Sequence, residues 1–240
     1  LHGEFGIAAT AIAIIAFFVS VLAHEVAHAA VAKRFGISTE SIELWALGGL
    51  ARLAKQPSTP RADGWIAAAG PIVNIVLGGV AALAGWLLHR ADAADLATFS
   101  VIWFATTNLA IGLFNLLPGS PLDGGRILRA VRWAHHGQRY RAMRESATLG
   151  TVLGAAMMMF GVSMMLQGHS GGWLVITGLF VVISARFEAV TATLGERLGS
   201  VRIGELTWFG VAETSPDMDV DAMLWQRTRL GGAGAVAVRR

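Results

Sequence analysis

Long stretches without a formal charge are the feature that most limits what this chain can fold into. A helix needs about 20 apolar residues to cross a bilayer, and five segments of the chain reach or approach that length. Charged residues make up 15% of the 240 residues, against about 25% in soluble domains. We therefore predict an α-helical polytopic membrane protein with about five transmembrane helices. The predicted spans are residues 7–32, 64–88, 97–117, 147–166 and 171–185, the last of which can extend to residue 190.

Basic residues are distributed unevenly among the segments between these spans. Eighteen of the 19 Lys and Arg lie in residues 33–61, in residues 126–144 or after residue 185, and Arg90 lies in the segment 89–96. Cytoplasmic loops carry the excess of Lys and Arg in membrane proteins, so the three basic segments are predicted to be cytoplasmic. This sorting explains the net charge of +3 without a nucleic-acid partner. It also places Leu1 outside, so we expect that a preceding span is missing from the chain.

One polar group, HEVAH at residues 24–28, interrupts the first apolar segment. On a helix, His24 and His28 lie on the same face, where both imidazoles can bind one metal ion. Glu25 lies about 100° around from His24, close enough to contact a water on that ion. H-E-x-x-H is the zinc-protease pattern, with glutamate as general base. An acidic residue at the bilayer interior costs about 2.5–3.5 kcal/mol, so a metal site is favoured over a polar cluster that only stabilises helix packing.

A catalytic zinc site needs a third protein ligand, and the chain has no cysteine. Asp123 is the candidate, because the third span runs inward and ends near it, at the depth of HEVAH. Prolines and glycines at residues 118–125 prevent a regular helix, and such backbone is stable at membrane depth only where it lines a protein cavity. Asp123 can instead, or also, be the N-cap of a helix over residues 126–133. Other histidines are predicted to be external or solvated: His89, His169, His135 and His136.

Three sequence motifs together resemble the site-2 protease family of intramembrane zinc metalloproteases. They are HEVAH at residues 24–28, GPIVN at residues 70–74 and NLLPGSPLDGG at residues 115–125. The resemblance extends from residue 7 to about residue 190. It implies that residues 1–195 form an intramembrane metalloprotease core embedded in the lipid bilayer.

The resemblance also assigns roles to individual residues. The ligands that it implies for one zinc ion are His24, His28 and Asp123. Glu25 corresponds to the catalytic base. Asn115 corresponds to a polar residue that positions the substrate backbone or the oxyanion. Asn74 is given a similar supporting role, with an interhelical hydrogen bond as the alternative.

Two further segments carry predictions. Residues 41–53 are predicted to form a small membrane-associated β-hairpin with its turn at Gly48 and Gly49, either as a pairing edge for an extended substrate or as a structural element.

Residues 196–240 are predicted to form a cytoplasmic αβ tail that resembles the start of a CBS (cystathionine-β-synthase) domain. We expect that the rest of that domain is missing, and that a complete CBS pair would bind a nucleotide. The elements predicted in the tail are strands at 211–214 and 233–238 and a helix at 219–228.

The predicted function is a zinc endopeptidase that cleaves transmembrane segments of membrane-anchored regulatory proteins, such as anti-sigma factors, in a bacterial cell membrane. The alternative is a membrane metal-binding protein or transporter without protease activity. Transport favours further ionisable residues along a pathway, and the second, fourth and fifth predicted spans contain none. A third possibility, an inactive scaffold, is disfavoured by the intact Glu25.

Overall fold

The fold is described from a computed structural model, which defines residues 2–45, 48–92, 95–198, 211–214, 217–222 and 235–238. The chain divides into two compact units, Leu1–Thr193 and Leu194–Arg240. The helices are α1 His2–Arg34, α2 Pro60–Arg90, α3 Asp95–Asn115, α4 Asp123–His136, α5 Arg139–Leu166 and α6 Gly172–Leu198. The strands are β1 Thr39–Trp45, β2 Gly48–Leu53, β3 Val211–Thr214 and β4 Ala235–Val238.

Among these described residues, five helices are long and apolar enough to cross a membrane: α1, α2, α3, α5 and α6. Their outward faces carry large apolar side chains, of which Phe160 is 62% and Phe187 is 74% exposed. Small side chains such as Ala67, Ala105 and Ala147 are buried between the helices, as is usual where transmembrane helices pack closely. The prediction of five spans in a mainly helical protein is therefore confirmed.

Several helices are longer than the predicted spans and include charged residues that we had placed outside them. The α2 helix starts at Pro60 and so contains Asp63, whose side chain is fully buried. Arg129 of α4 donates two hydrogen bonds of 2.7 Å to the Asp63 carboxylate and one of 3.0 Å to Glu188 of α6. Burial would lower the pKa of Arg129, but its bonds and charge contacts with Asp63 and Glu188 raise that pKa above its ordinary value. This ionic cluster joins three helices.

The chain between α3 and α4 is irregular and is anchored to α5 by Ser146. The Ser146 carbonyl accepts a hydrogen bond of 3.2 Å from the Ser120 N–H, and the two hydroxyls are 3.0 Å apart. The Ser146 hydroxyl donates to the Gly125 carbonyl at 2.8 Å. These bonds satisfy backbone groups that a broken helix would otherwise leave unpaired, as such depth in a membrane requires.

The alternative that Asp123 is an N-cap is wrong, because α4 begins at Asp123 itself and its N-cap is Leu122. The helix can start this early because Gly124 and Gly125 have no side chains. A Cβ atom at Gly124 would collide with the carbonyl oxygen of Leu116, so only glycine lets α4 pack directly on the preceding backbone. Asp123 therefore enters the site as a residue of the first turn of a helix.

The strands β1 and β2 pair antiparallel, with Trp45 opposite Gly48 and Leu44 opposite Gly49. The prediction that Gly48 and Gly49 form the turn is wrong, because both belong to β2. Residues 46–47, between the two strands, lie outside the described residues.

The second unit contains β3 and β4, which pair in parallel from Val211 with Ala235 to Thr214 with Val238. Residues 220–222 are helical. Residues 223–234 lie outside the described part of the chain, and with them lie most of the helix predicted at 219–228 and the start of the strand predicted at 233–238. The resemblance of this unit to a CBS domain stays a prediction.

Candidate metal centre

The two histidines of HEVAH lie one turn apart near the C-terminal end of α1, with their rings facing each other. The side chains of His24 and His28 are buried, and their Nε2 atoms are 3.0 Å apart. The ring planes are nearly perpendicular, at 80°. Both imidazoles therefore direct the same nitrogen towards one point.

Asp123, which is 95 residues farther along the chain than His28, lies at that point. Its Oδ2 atom is 3.2 Å from Nε2 of His24 and 3.3 Å from Nε2 of His28. Within the described residues, His24, His28 and Asp123 are the group whose ligand atoms, all within 4.8 Å of one another, could hold a metal ion. The structure thus brings together the three residues that the sequence singled out as ligands.

The Nδ1 atoms of both rings bond to acceptors outside the cluster. These bonds determine whether the Nε2 atoms carry a proton or a lone pair. Nδ1 of His28 donates to the Ile66 carbonyl at 2.6 Å, and Nδ1 of His24 donates to Oδ1 of Asn74. A neutral imidazole has one donor and one acceptor nitrogen, so each Nε2 then carries a lone pair. Two lone pairs and a carboxylate oxygen converge, and positive charge between them would stabilise this arrangement. A dication bound by all three atoms supplies it, and two imidazoles with one carboxylate suit zinc.

Gly70 of α2 forms the wall opposite these nitrogens. A Cβ atom at this position would overlap Nε2 of both His24 and His28. The missing side chain therefore keeps space free where the ligand atoms meet. Four residues later on the same helix face, Asn74 contacts His24, so GPIVN supplies both the space and a partner for the ring.

The carboxylate of Asp123 is held from its other side by a basic residue. NH1 of Arg126 is 3.8 Å from Oδ1 of Asp123, and NH2 of Arg126 is 3.7 Å from Oδ1 of Asp63. The positive charge of Arg126 favours the ionised form of Asp123, which is the form that binds metals. Oδ2 is left to face the histidines.

Glu25 lies beside His24 on the wall of a cavity of about 680 Å³. The cavity is lined by side chains of α1, α2, α3, α5 and α6 and of the segment before α4, and most of them are apolar. Asn115, at the C-terminal end of α3, also lines it. The candidate base, the candidate ligand His24 and Asn115 thus face one cavity inside an apolar helix bundle.

Sequence reasoning did not assign three of the residues that support this site. They are Gly70, which the sequence indicates only as part of the GPIVN motif, and Asn108 and Ser146, for which the sequence predicted no role. Asn108 is fully buried in α3 and accepts a hydrogen bond from Asn74. A polar amide in a span without charges is a signal that could have identified it. The histidines predicted to lie away from the metal, His89, His135, His136 and His169, are absent from the group.

The five apolar helices and this buried cluster indicate a multi-pass membrane protein with a candidate metal centre at an HExxH motif. The model of Peptidase family M50 matches residues 12–95 and 87–161. Because this is more than half of the chain, the protein belongs to peptidase family M50.

Similar proteins carry metalloprotease names. Rip3 of Mycobacterium tuberculosis, named as a zinc metalloprotease, is 38% identical over 188 residues, which cover 78% of this chain and 48% of Rip3. Zinc metalloprotease MJ0392 of Methanocaldococcus jannaschii is 29% identical over 215 residues, covering 89% and 60%. The chain thus spans about half to three fifths of these relatives. The solved structure of the site-2 protease from Methanocaldococcus jannaschii has a TM-score of 0.57 at 32% identity, covering 73% of this chain and 76% of that one.

Proposed function

We propose that this chain is a zinc-dependent intramembrane endopeptidase that cleaves transmembrane segments of membrane-anchored regulatory proteins. One observation carries the proposal: three convergent acceptor atoms lie beside a buried glutamate, and the cavity next to them is surrounded by membrane-spanning helices. Membership of family M50 and the names of its relatives support a metalloprotease.

His24, His28 and Asp123 would hold the zinc ion, and a fourth position would stay open for water or substrate. When bound, zinc lowers the pKa of a water to about 7 and polarises a carbonyl oxygen. Nδ1 of each imidazole is already held by an acceptor, so the rings are oriented before the ion binds. Such support from outer partners is common to metal-binding histidines.

Glu25 would act as general base and later as general acid. It follows His24 directly and faces the cavity, so its carboxylate can take a proton from water and return it to the leaving amine. Its burial keeps competing bulk water away from the carboxylate. Asn115 faces the same cavity, and its amide can donate a hydrogen bond to the substrate backbone or to the developing oxyanion.

The cavity favours an apolar substrate segment. Its lining includes Phe17, Phe114 and Phe180, which match the side chains of a transmembrane helix better than those of a soluble peptide. Hydrolysis requires an extended backbone, and a strand edge of the β1–β2 pair could bind such a segment by backbone pairing.

Finer parts of the proposal concern location and regulation. We place the protein in a bacterial cell membrane, with the basic segments and residues 196–240 on the cytoplasmic side. Anti-sigma factors and similar membrane-anchored signalling proteins are the proposed substrates. A nucleotide bound at a complete CBS pair would regulate activity.

The test is cleavage of a transmembrane peptide by detergent-purified protein, measured together with zinc content. Glu25→Gln should keep zinc and lose cleavage by about 10²–10⁴-fold, the usual contribution of a general base. Glu196→Gln is the matched control, because Glu196 is exposed near the C-terminal end of α6, and it should cleave normally. Undiminished cleavage by Glu25→Gln would refute the role of Glu25. Zinc binding without any cleavage by the unsubstituted protein would favour a metal-binding protein or transporter.

A further inference from the structure

Two buried asparagines connect the candidate metal centre with α3. Asn74 and Asn108 have no exposed surface. Nδ2 of Asn74 donates to Oδ1 of Asn108 at 2.9 Å, and Nδ2 of Asn108 donates to the Phe104 carbonyl at 3.0 Å. Oδ1 of Asn74 accepts from Nδ1 of His24. The series therefore runs from a main-chain carbonyl of α3, through α2, to a histidine of α1.

The Phe104 carbonyl, at the α3 end of the series, determines which group donates and which accepts in every other hydrogen bond. The Phe104 carbonyl can only accept, so Asn108 must turn its NH₂ group towards it. Oδ1 of Asn108 then faces Asn74, which must in turn donate with its own NH₂ group. Oδ1 of Asn74 is left for His24, and an oxygen there requires a proton on Nδ1 of the imidazole. Nε2 of His24 is thereby kept free of a proton and available as a ligand.

We infer that Asn108 is a positioning residue of the metal centre, which acts through Asn74 and fixes the tautomer of His24. Without Asn108, the Asn74 amide could rotate by 180° and present its NH₂ group to His24. Nδ1 would then have to accept, and the ring proton would move to Nε2, which is the nitrogen that faces Asp123. The ligand atom would be blocked although every ligand residue is still present.

Packing alone does not explain the two amides. A buried amide is costly unless it is hydrogen-bonded, whereas replacing both partners of a buried hydrogen bond by apolar groups of similar shape can be nearly neutral. Two leucines would therefore suit the apolar bundle. The amides supply what leucines cannot, a defined acceptor for Nδ1 of His24.

The inference rests on the metal site of the proposed function, but its test measures zinc affinity and not cleavage. Zinc is titrated against a competing chelator in the detergent-purified full chain. Asn108→Leu and Asn108→Ala should each weaken zinc binding by about 10-fold or more, within the 10–100-fold range known for outer partners of metal ligands. Asn108→Asp keeps an oxygen opposite Asn74 but loses the donor to the Phe104 carbonyl, so it should lose less affinity than Asn108→Leu. Thr106→Val is the matched control, because Thr106 bonds only within its own helix among the described contacts.

A double-mutant cycle separates positioning from a general structural role. If Asn108 acts through Asn74, then Asn74→Leu combined with Asn108→Leu should bind zinc as weakly as Asn74→Leu alone. Unchanged zinc affinity in both Asn108→Leu and Asn108→Ala would overturn the inference, as would additive losses in the double variant. Neither result would contradict the role of Glu25, which is tested by cleavage. Absence of cleavage would not contradict this inference, which is tested by zinc affinity.

Discussion

Two buried polar clusters in the helical unit differ in whether their acceptor atoms have hydrogen-bond donors within the protein. In the ionic cluster, Arg129 donates to Asp63 and Glu188, so donors and acceptors are matched within the protein. In the candidate metal centre, each histidine donates from Nδ1 to an outer partner, so its Nε2 atom is an acceptor. These two Nε2 atoms converge with the Asp123 carboxylate, which is also an acceptor. The first cluster has its donors within the protein, and the second could hold a metal ion between its acceptors.

This difference predicts which of the two polar clusters is a binding site. Ionisable residues are costly inside a bilayer wherever they occur, so burial alone does not distinguish the clusters. The supply of donors does: we expect the ionic cluster to hold helices together and the candidate metal centre to bind a ligand. Arg126 lies between the two, within 4 Å of both Asp63 and Asp123.

We expect the largest loss of zinc and of activity from removing a candidate ligand of the metal centre. Asp123→Ala should abolish zinc retention and lower peptide cleavage by about 10⁴-fold or more, because the ion supplies both the nucleophile and several kcal/mol of charge stabilisation. Metal analysis and a cleavage assay on the same sample measure it. A variant that keeps full zinc would show that Asp123 is not a ligand.

We expect substitutions in the ionic cluster to lower the stability of the protein and to leave zinc binding unchanged. Asp63→Asn leaves Arg129 buried without its main partner, and breaking a buried ion pair in this way costs about 3–5 kcal/mol of unfolding free energy. Replacing all three members, as Asp63→Leu, Arg129→Met and Glu188→Leu, should recover much of that loss, since apolar replacements of a whole buried ionic group are often tolerated. Denaturant unfolding in detergent measures both variants. Zinc bound per folded chain should stay unchanged in the triple variant, and zinc loss there would contradict the separation of the two clusters.

A smaller effect is expected from filling the space at Gly70. Gly70→Ala places a Cβ atom against Nε2 of both histidines, so we expect zinc affinity to fall by about 10–100-fold, as for outer-partner changes. Gly79→Ala on the same helix is the control, because a Cβ atom there meets nothing within 4 Å. Zinc titration should distinguish them, and equal affinities would mean that Gly70 does not shape the site.

The sequence was sufficient for the parts that have a local signature. Uncharged runs predicted five spans, and the HEVAH spacing paired two histidines on one helix face. The irregular segment at Asp123 was recognised because prolines and glycines exclude a regular helix. The same glycines misled us about the start of α4, because their role in close backbone packing depends on a contact with Leu116 that spacing does not reveal.

The parts that could not be predicted depend on partners far apart in the chain. Asp63 and Arg129 are 66 residues apart, and neither charge alone indicates its partner. Asn74 and Asn108 are 34 residues apart, so only the packed helices reveal that they form one series of hydrogen bonds. The supporting partners of the metal centre are thus a property of the fold, whereas its ligands are a property of the motifs.

The most direct test of the central claim is the X-ray absorption spectrum at the zinc edge of the purified protein. We expect two imidazole nitrogens at about 2.0–2.1 Å and oxygen ligands at about 2.0–2.2 Å, and little or no bound zinc in His28→Ala, as in Asp123→Ala. A zinc shell of oxygen atoms alone, or a spectrum that His28→Ala leaves unchanged, would contradict a metal centre formed by His24, His28 and Asp123.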